Sequence, residues 1–276
     1  MPELPEVETI VCGLRDKLTG LQFSRVAVRL EKCIQGSKKA FMASLRGRKI
    51  LRAERQGKNI ILHLSGEVAL GVHLRMTGRL RFVPAQTPEE KHTHVIFSFR
   101  DNPFHLRFVD QRQFGRLCLE RKGVGGKLRS LADLGPEPFE ISAKEFMERA
   151  RSRHRAIKPL LLDQRFLAGV GNIYADEALH RARIHPRRKA NMLEEETLIR
   201  LYHSLRRILR KAIRAGGTSV RSYVDASGFA GGFQNFLRVY GREGKACRFC
   251  GASIVRERVG GRSSFFCPQC QPRPRT

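Results

Sequence analysis

The sequence predicts a multidomain α+β protein, and three observations carry this. Short extended runs fill residues 26–119, helical periodicity replaces them after residue 138, and two cysteine pairs crowd the end of the chain. At 276 residues there is room for two modest cores, since domains commonly take roughly 100–150 residues. A hydrophobic fraction of 41% with 29% charged residues describes a folded chain, not a disordered one.

Taken in order, Pro5 precedes Val7, Ile10, Val11, Leu14 and Leu18, one apolar helical face stopped near Gly20. Pro2 and Glu3 therefore sit just ahead of a helix. Runs such as Lys58–Leu64, Val95–Phe99 and Leu106–Val109, set off by glycine and polar turns, give a β-sandwich or barrel. A linker is expected near residues 121–138, then helices over Ser142–Ala150 and Lys158–Asp163. Asn191 and Glu194 have capping-box spacing ahead of an apolar stripe from Leu198 to Ala212, with Arg200, Arg207 and Arg214 on the wet side. Glycines crowd residues 217–234, which read as a loop, and the cysteine hairpin closes the chain.

Charge narrows the function classes. The 53 Lys and Arg against 26 Asp and Glu leave a formal +27, which favours a polyanion through counterion release. The cations are spread along the chain, unlike the single amphipathic basic segment of a membrane-surface protein. No 18-residue apolar run and no signal-like start occur, so a cytosolic location without membrane contact is expected.

Four motifs carry chemistry. Cys247-x2-Cys250 and Cys267-x2-Cys270 have the spacing of two knuckles closing one tetrahedral zinc site. Four thiolates leave no open position for a catalytic water, so such a zinc is structural. Cys12, Cys33 and Cys118 read as ordinary buried thiols. Val259-Gly260-Gly261-Arg262 suits a hairpin tip that holds out one guanidinium, which can fork onto a phosphate. In Gly169-Val170-Gly171-Asn172, a glycine turn delivers Asn172 to a helix start, where free amides cap or bind phosphate. In Asp110-Gln111-Arg112-Gln113-Phe114-Gly115, Arg112 and Phe114 fall on one side of an extended segment. Lastly, trimming of Met1 exposes a secondary amine at Pro2, and α-amines titrate near 7.7–8.0, well below lysine.

Together these residues resemble the formamidopyrimidine-DNA glycosylase family over essentially the whole chain. Pro2-Glu3-Leu4-Pro5-Glu6, the Lys58 segment, Arg75-Met76-Thr77-Gly78, the Arg112 motif, Gly169–Tyr174 and the cysteine hairpin fall in family order. The resemblance implies an N-terminal β-sandwich with flanking helices (1–135), a helix-two-turn-helix DNA-binding domain with a lesion-recognition loop (136–240) and a zinc-finger β-hairpin (241–276). It implies a monomeric base-excision-repair glycosylase and AP lyase that takes oxidised purines from duplex DNA. By it, Pro2 attacks C1′ of the damaged nucleotide, Glu3 assists sugar opening, Lys58 binds phosphate and supplies a proton, and Arg262 serves the final elimination. Binding roles pass to His73, His92, Arg153, Lys158 and Asn172, and Met76, Arg112 and Phe114 match the trio that fills the gap left by a flipped base. Gln113 departs from a position that is often basic, and Thr93 from one that is often aspartate. The rival readings are an endonuclease VIII-like enzyme for oxidised pyrimidines, against which Leu4, Arg112 and Phe114 argue, and a non-enzymatic zinc-ribbon binder, which leaves Pro2, Glu3 and Lys58 unexplained.

Overall fold

A computed structural model describes every residue except 122, 124–127, 220–222, 227 and 275–276. The chain divides into two compact units, one of Met1–Asp133 with Ala215–Gly232, the other of Leu134–Arg214 with Phe233–Thr276. The expected linker at 121–138 and the loop at 217–234 fall partly outside the described residues.

In the first unit, helix α1 (Leu4–Leu18) forms as its apolar period requires, with Pro5 in its first turn and the backbone N–H of Glu3 donating to the Glu6 carboxylate at 2.7 Å. Its stripe of Val7, Ile10, Val11, Leu14 and Leu18 is buried. Eight strands follow: β1 (Phe23–Val28), β2 (Ile50–Gln56), β3 (Asn59–Leu64), β4 (Val68–His73), β5 (Gly78–Pro84), β6 (Thr93–Phe99), β7 (Phe104–Asp110) and β8 (Arg116–Arg121), with helix α2 (Lys38–Leu45) after β1. They make two antiparallel four-stranded sheets, ordered β1-β6-β7-β5 and β2-β3-β4-β8. One apolar cluster joins both to α1, with Phe23, Phe97 and Phe108 from one sheet meeting Leu62, Leu70 and Val72 from the other. This is the sandwich that the alternating runs call for.

The segment 215–232, expected with the helical domain, groups instead with the sandwich. Local chemistry explains this grouping: the Thr218 N–H donates to Glu6 Oε1 at 2.7 Å, the Tyr223 hydroxyl to the Glu6 carbonyl, and Ala226 is buried in the sandwich core. Gly217 (φ +80°) and Gly231 let two backbones touch, since a Cβ on Gly231 would lie 2.4 Å from the Gly217 carbonyl oxygen.

The second unit holds α3 (Ala143–Arg151), α4 (Ile157–Leu161), α5 (Asn172–Ala182), α6 (Glu195–Arg214) and the hairpin β9 (Val255–Val259) and β10 (Arg262–Phe266). The α6 stripe of Leu198, Leu201, Tyr202, Leu205, Leu209 and Ala212 is buried, and Arg200, Arg207 and Arg214 are exposed. The Asn191–Glu194 capping box does not form. Asn191 lies in a 3-10 turn, its side-chain amide against His154 Nδ1 at 3.1 Å, because that turn shifts the helix start to Glu195. Of the three thiols outside the knuckles, Cys33 is buried, but Cys12 lies on the wet face of α1 and Cys118 is half-buried. No helix among the described residues is long and apolar enough to cross a membrane.

Two glycines give opposed expectations. Gly231→Ala should lower stability by about 1–3 kcal/mol through overpacking. Gly13→Ala should raise it by about 0.5–1 kcal/mol, because Gly13 is inside α1 and its Cβ would meet only Ala226 at 3.9 Å. Urea denaturation midpoints measure both, and equal effects would show that the close backbone approach is not a constraint.

Candidate functional site

The chain start is held, not frayed. Pro2 is buried and Glu3 only 4% exposed, whereas chain termini ordinarily fray. Lys58, 7% exposed, occupies the second position of a two-residue turn between β2 and β3, whose first residue Gly57 (φ +58°) supplies the conformation such turns need. Arg55 links the two regions by pairing with Glu8 of α1 at 2.7 Å and donating to the Gly57 carbonyl at 3.1 Å. His73 ends β4 opposite Asn59 and accepts the Arg75 N–H at Nδ1 (3.0 Å), so neutral His73 carries its proton on Nε2. Burial, then Arg75 and Lys58, push its pKa down to about 4. It is therefore a neutral donor at physiological pH.

Met76, His92, Arg112 and Phe114 come from three loops of this unit, and one buried carboxylate gathers them. Asp110 is fully buried at the end of β7. Its Oδ1 accepts the Thr77 hydroxyl and the Arg112 N–H (3.3 Å), and its Oδ2 accepts the Gly115 N–H at 2.7 Å. Its own N–H donates to the His92 carbonyl at 3.0 Å, and His94 Nε2 donates to the Asp110 carbonyl at 2.8 Å. The three loops each hold a left-handed residue, Arg75 (φ +52°), His92 (φ +71°) and Gln113 (φ +58°). Such positions cost of order 1–3 kcal/mol each and persist only where neighbours over-determine them. Arg112 and Phe114 do face each other, the guanidinium 4.9 Å from the ring centroid. They do so across left-handed Gln113, not along an extended strand, because β7 ends at Asp110. Phe114 is 49% exposed, a large apolar side chain held in water. Thr93, where an aspartate is often found, is buried and donates its hydroxyl to the Glu90 carbonyl.

In the second unit, Arg262 is exposed at the start of β10, after the turn Gly260-Gly261. A Cβ on Gly260 would lie 2.5 Å from Pro159 Cγ, so the tip sits directly on α4. The Ser263 carbonyl, next in line, accepts Lys158 Nζ at 2.8 Å and Asn172 Nδ2 at 2.9 Å. Lys158 is completely buried and ion-paired with Asp176 at 2.7 Å, and Asp176 Oδ2 accepts the Phe265 N–H at 3.0 Å. Lys158, expected among the DNA-binding residues, thus has its ammonium directed inside the fold, where it fixes the strand that carries Arg262. Arg153 is exposed in the loop after α3.

The four cysteine ligand atoms lie within 4.8 Å of one another. Zinc–sulfur bonds of about 2.3 Å imply tetrahedral sulfur separations of about 3.8 Å. The observed separations, 3.9 Å for Cys247–Cys270 and 3.4 Å for both Cys250–Cys267 and Cys250–Cys270, fit one structural zinc. Behind it, Gln271 accepts the Cys267 N–H and donates to the Ile184 carbonyl, tying the knuckle to the end of α5.

Sequence reasoning gave no role to Asp110, Thr77, Glu6 or Asp176. Each is a polar residue with at least one partner far along the chain, and the available signal was the position of Asp110 and Thr77 inside motifs read for their neighbours.

A β-sandwich unit and a helical unit that carries a four-thiolate finger define a two-unit zinc-finger protein. Family models match in three segments: the formamidopyrimidine-DNA glycosylase N-terminal domain at residues 1–117, its H2TH domain at 134–224, and the zinc finger found in FPG and IleRS at 244–273. Formamidopyrimidine-DNA glycosylases of Pelotomaculum thermopropionicum and Heliobacterium modesticaldum are each 48% identical to this chain, covering 98% of it and 99% and 100% of their own lengths. A Lactococcus lactis FPG mutant solved with Fapy-dG DNA aligns at TM-score 0.90 and 35% identity, over 99% of this chain and 100% of its own. A MutM structure with carbocyclic 8-oxo-G DNA aligns at 0.91 and 36%, with the same coverage. The chain belongs to the formamidopyrimidine-DNA glycosylase family.

Two measurements probe this site. The folded pKa of His73 lies below its ordinary 6.5, so the unfolded chain takes up that proton first as pH falls. The stability involved is full above pH 6.5 and is lost as pH falls toward 4. The loss of urea stability between pH 7 and pH 5 should therefore be smaller in His73→Gln, and unchanged slopes would contradict it. Asp110→Asn leaves at least one inward donor facing an amide N–H2, which should cost about 1–3 kcal/mol and slow single-turnover excision. An unaltered rate would mean that the loops hold their places without the carboxylate.

Proposed function

We propose that this enzyme excises oxidised purines from duplex DNA and then cuts the abasic strand, using Pro2 as an amine nucleophile. The observation that carries the assignment is the burial of Pro2 and Glu3 at the head of α1. With Met1 in place the Pro2 nitrogen is an amide, so trimming creates the nucleophile. Its lone pair forms a bond to C1′ as the glycosidic bond breaks and the base leaves with the bonding pair, taking up the proton that the Pro2 nitrogen sheds; the nitrogen's freed pair then forms the iminium as the C1′–O4′ bond breaks and Glu3 protonates the sugar oxygen. The resulting iminium acidifies the C2′ proton. Its loss expels the 3′ phosphate, a second elimination expels the 5′ phosphate, and water releases Pro2. Lys58 at its turn is placed to neutralise phosphate and move a proton, and Arg262 at its hairpin tip to serve the final elimination. The neutral donor His73, with His92, Arg153 and Asn172, supports phosphate contact, while Met76, Arg112 and Phe114 support filling of the emptied stack. Zinc supplies cross-linking of the finger.

Oxidised purines are favoured over pyrimidines because the similar solved structures hold Fapy-dG and carbocyclic 8-oxo-G DNA. A monomer working in the bacterial cytosol is the setting we assign, in keeping with seven cysteines of which none is in a disulfide and with the bacterial relatives.

Borohydride reduction with duplex carrying 8-oxoguanine tests the chemistry, since only an imine becomes a permanent cross-link. Trimmed enzyme should trap, Pro2→Gly should trap weakly, and Glu3→Gln should lose nearly all base excision with folding intact. Protein shown by mass spectrometry to retain Met1 should not trap, and equal trapping by it would remove Pro2 as the nucleophile.

A further inference from the structure

The second unit contains a cavity of about 500 Å³ at the C-terminal end of α5, walled by α5, α6 and the first cysteine knuckle. Its rim carries Arg181, Arg183, Arg200, Lys211, Arg238 and Arg248, all exposed. Among the described residues none of the six forms an ion pair within 4.0 Å, although Arg238 lies near enough to the Glu177 carboxylate to favour its charged form, whereas Arg187 and Arg273 in the same unit share Glu257. The acid lining the cavity, Glu177, is 3% exposed, and its carboxylate already accepts the N–H groups of Arg238, Val239 and Tyr240. Burial and the neighbouring Arg207 and Arg238 lower the proton affinity of Arg181, as expected of crowded like charges.

Aromatic rings hold two of these cations in place. Lys211 Nζ stands 3.7 Å from the Phe236 ring centroid, and the Arg183 guanidinium 4.6 Å from that of Phe249. Phe249 is 69% exposed and Phe236 44%, so both faces are open to a ligand. Arg183 also adopts a left-handed conformation (φ +58°) at the helix cap, where glycine is the usual residue, at a cost in backbone energy. Compensation of the α5 dipole accounts for Arg181 and Arg183. It does not account for Arg200 in the N-terminal half of α6, or for Arg238 and Arg248 in loops.

We propose that this cavity binds a compact polyphosphate anion, of the kind carried by a nucleoside triphosphate, at a site separate from the duplex. The volume suits a nucleotide-sized ligand, small-molecule sites spanning roughly 300–1,000 Å³. Cations converging from several elements around a concave space match contiguous phosphates better than the extended row of a duplex backbone. Separation follows from α5 itself. Asn172 starts this 11-residue helix and the cavity lies at its other end, about 16 Å away at 1.5 Å per residue.

The test uses full-length zinc-loaded protein, calorimetry with sodium tripolyphosphate and with ATP, and zinc content measured after each titration. Both probes should bind at one site per chain and raise Tm, and Arg181→Gln/Arg238→Gln should weaken both at least tenfold. Lys211→Gln, a single exposed change on α6, should weaken them severalfold and serves if the double variant does not fold. Lys39→Gln/Arg46→Gln, on the other unit, should change nothing, and lesion-duplex affinity should stay within about twofold in every variant. Equal weakening by the control pair would mean diffuse charge. Loss of tripolyphosphate binding once lesion duplex is saturating would place the anion in the duplex site, and heat accompanied by zinc release would mean chelation. Each of these three results overturns the proposal, as does undiminished binding by the cavity variants.

Discussion

The carboxylate of Asp110 is the constraint on which the first unit depends. A fully buried charge is tolerated only when donors satisfy it, and here the donors come from the Met76 loop and the Arg112–Phe114 loop, while its backbone N–H takes the His92 carbonyl. Three loops that would otherwise relax independently are thereby fixed to the end of one core strand. The left-handed residues Arg75, His92 and Gln113 are the visible cost, and Arg75 and Gln113 stand next to Met76, Arg112 and Phe114. Gly115 belongs to the same arrangement, since a Cβ there would meet Phe108 at 2.4 Å and Asp110 Oδ2 at 3.1 Å.

The second unit solves an equivalent problem with a carbonyl. Ser263 O has two lone pairs and takes one donor from α4 and one from α5, so the strand bearing Arg262 is set by two helices at once. The Lys158–Asp176 pair behind it need not add net stability, because desolvation offsets much of the attraction, but removing one partner would strand a buried charge. Burial pushes Asp176 up to about 7 while Lys158 and the Phe265 N–H pull it down, a balance that shows how completely the pair is removed from water. Neighbouring Glu177 turns its carboxylate to the N–H groups of residues 238–240, so adjacent acids on α5 fix the hairpin and the approach to the cysteine knuckle.

Net charge overstates the cations available to DNA. Arg107 is 2% exposed and donates to the carbonyls of Ala85, Thr87 and Pro88, and Arg206 serves those of Pro138 and Ile141. Arginine suits this internal use because its planar fork satisfies several carbonyls at once. The free positive charge therefore gathers in particular places, among them the α5–α6 cavity.

What the sequence by itself determined is whatever depends on local period and spacing. The α1 and α6 stripes, the alternating strands, the Gly260-Gly261 tip and the four-cysteine zinc site were legible because each is specified within a few residues or by a ligand spacing. The family resemblance supplied Pro2, Glu3 and Lys58, whose burial no periodicity indicates. Tertiary structure alone decided that Lys158 faces Asp176, that Gln113 turns left-handed so that Arg112 meets Phe114, that Asn191 caps nothing, and that Thr218 is held by Glu6. In each case the deciding partner is distant in sequence or the turn is set by a buried donor count, and a lysine, an aspartate or a glycine loop reads the same until the fold brings its partner within hydrogen-bonding reach.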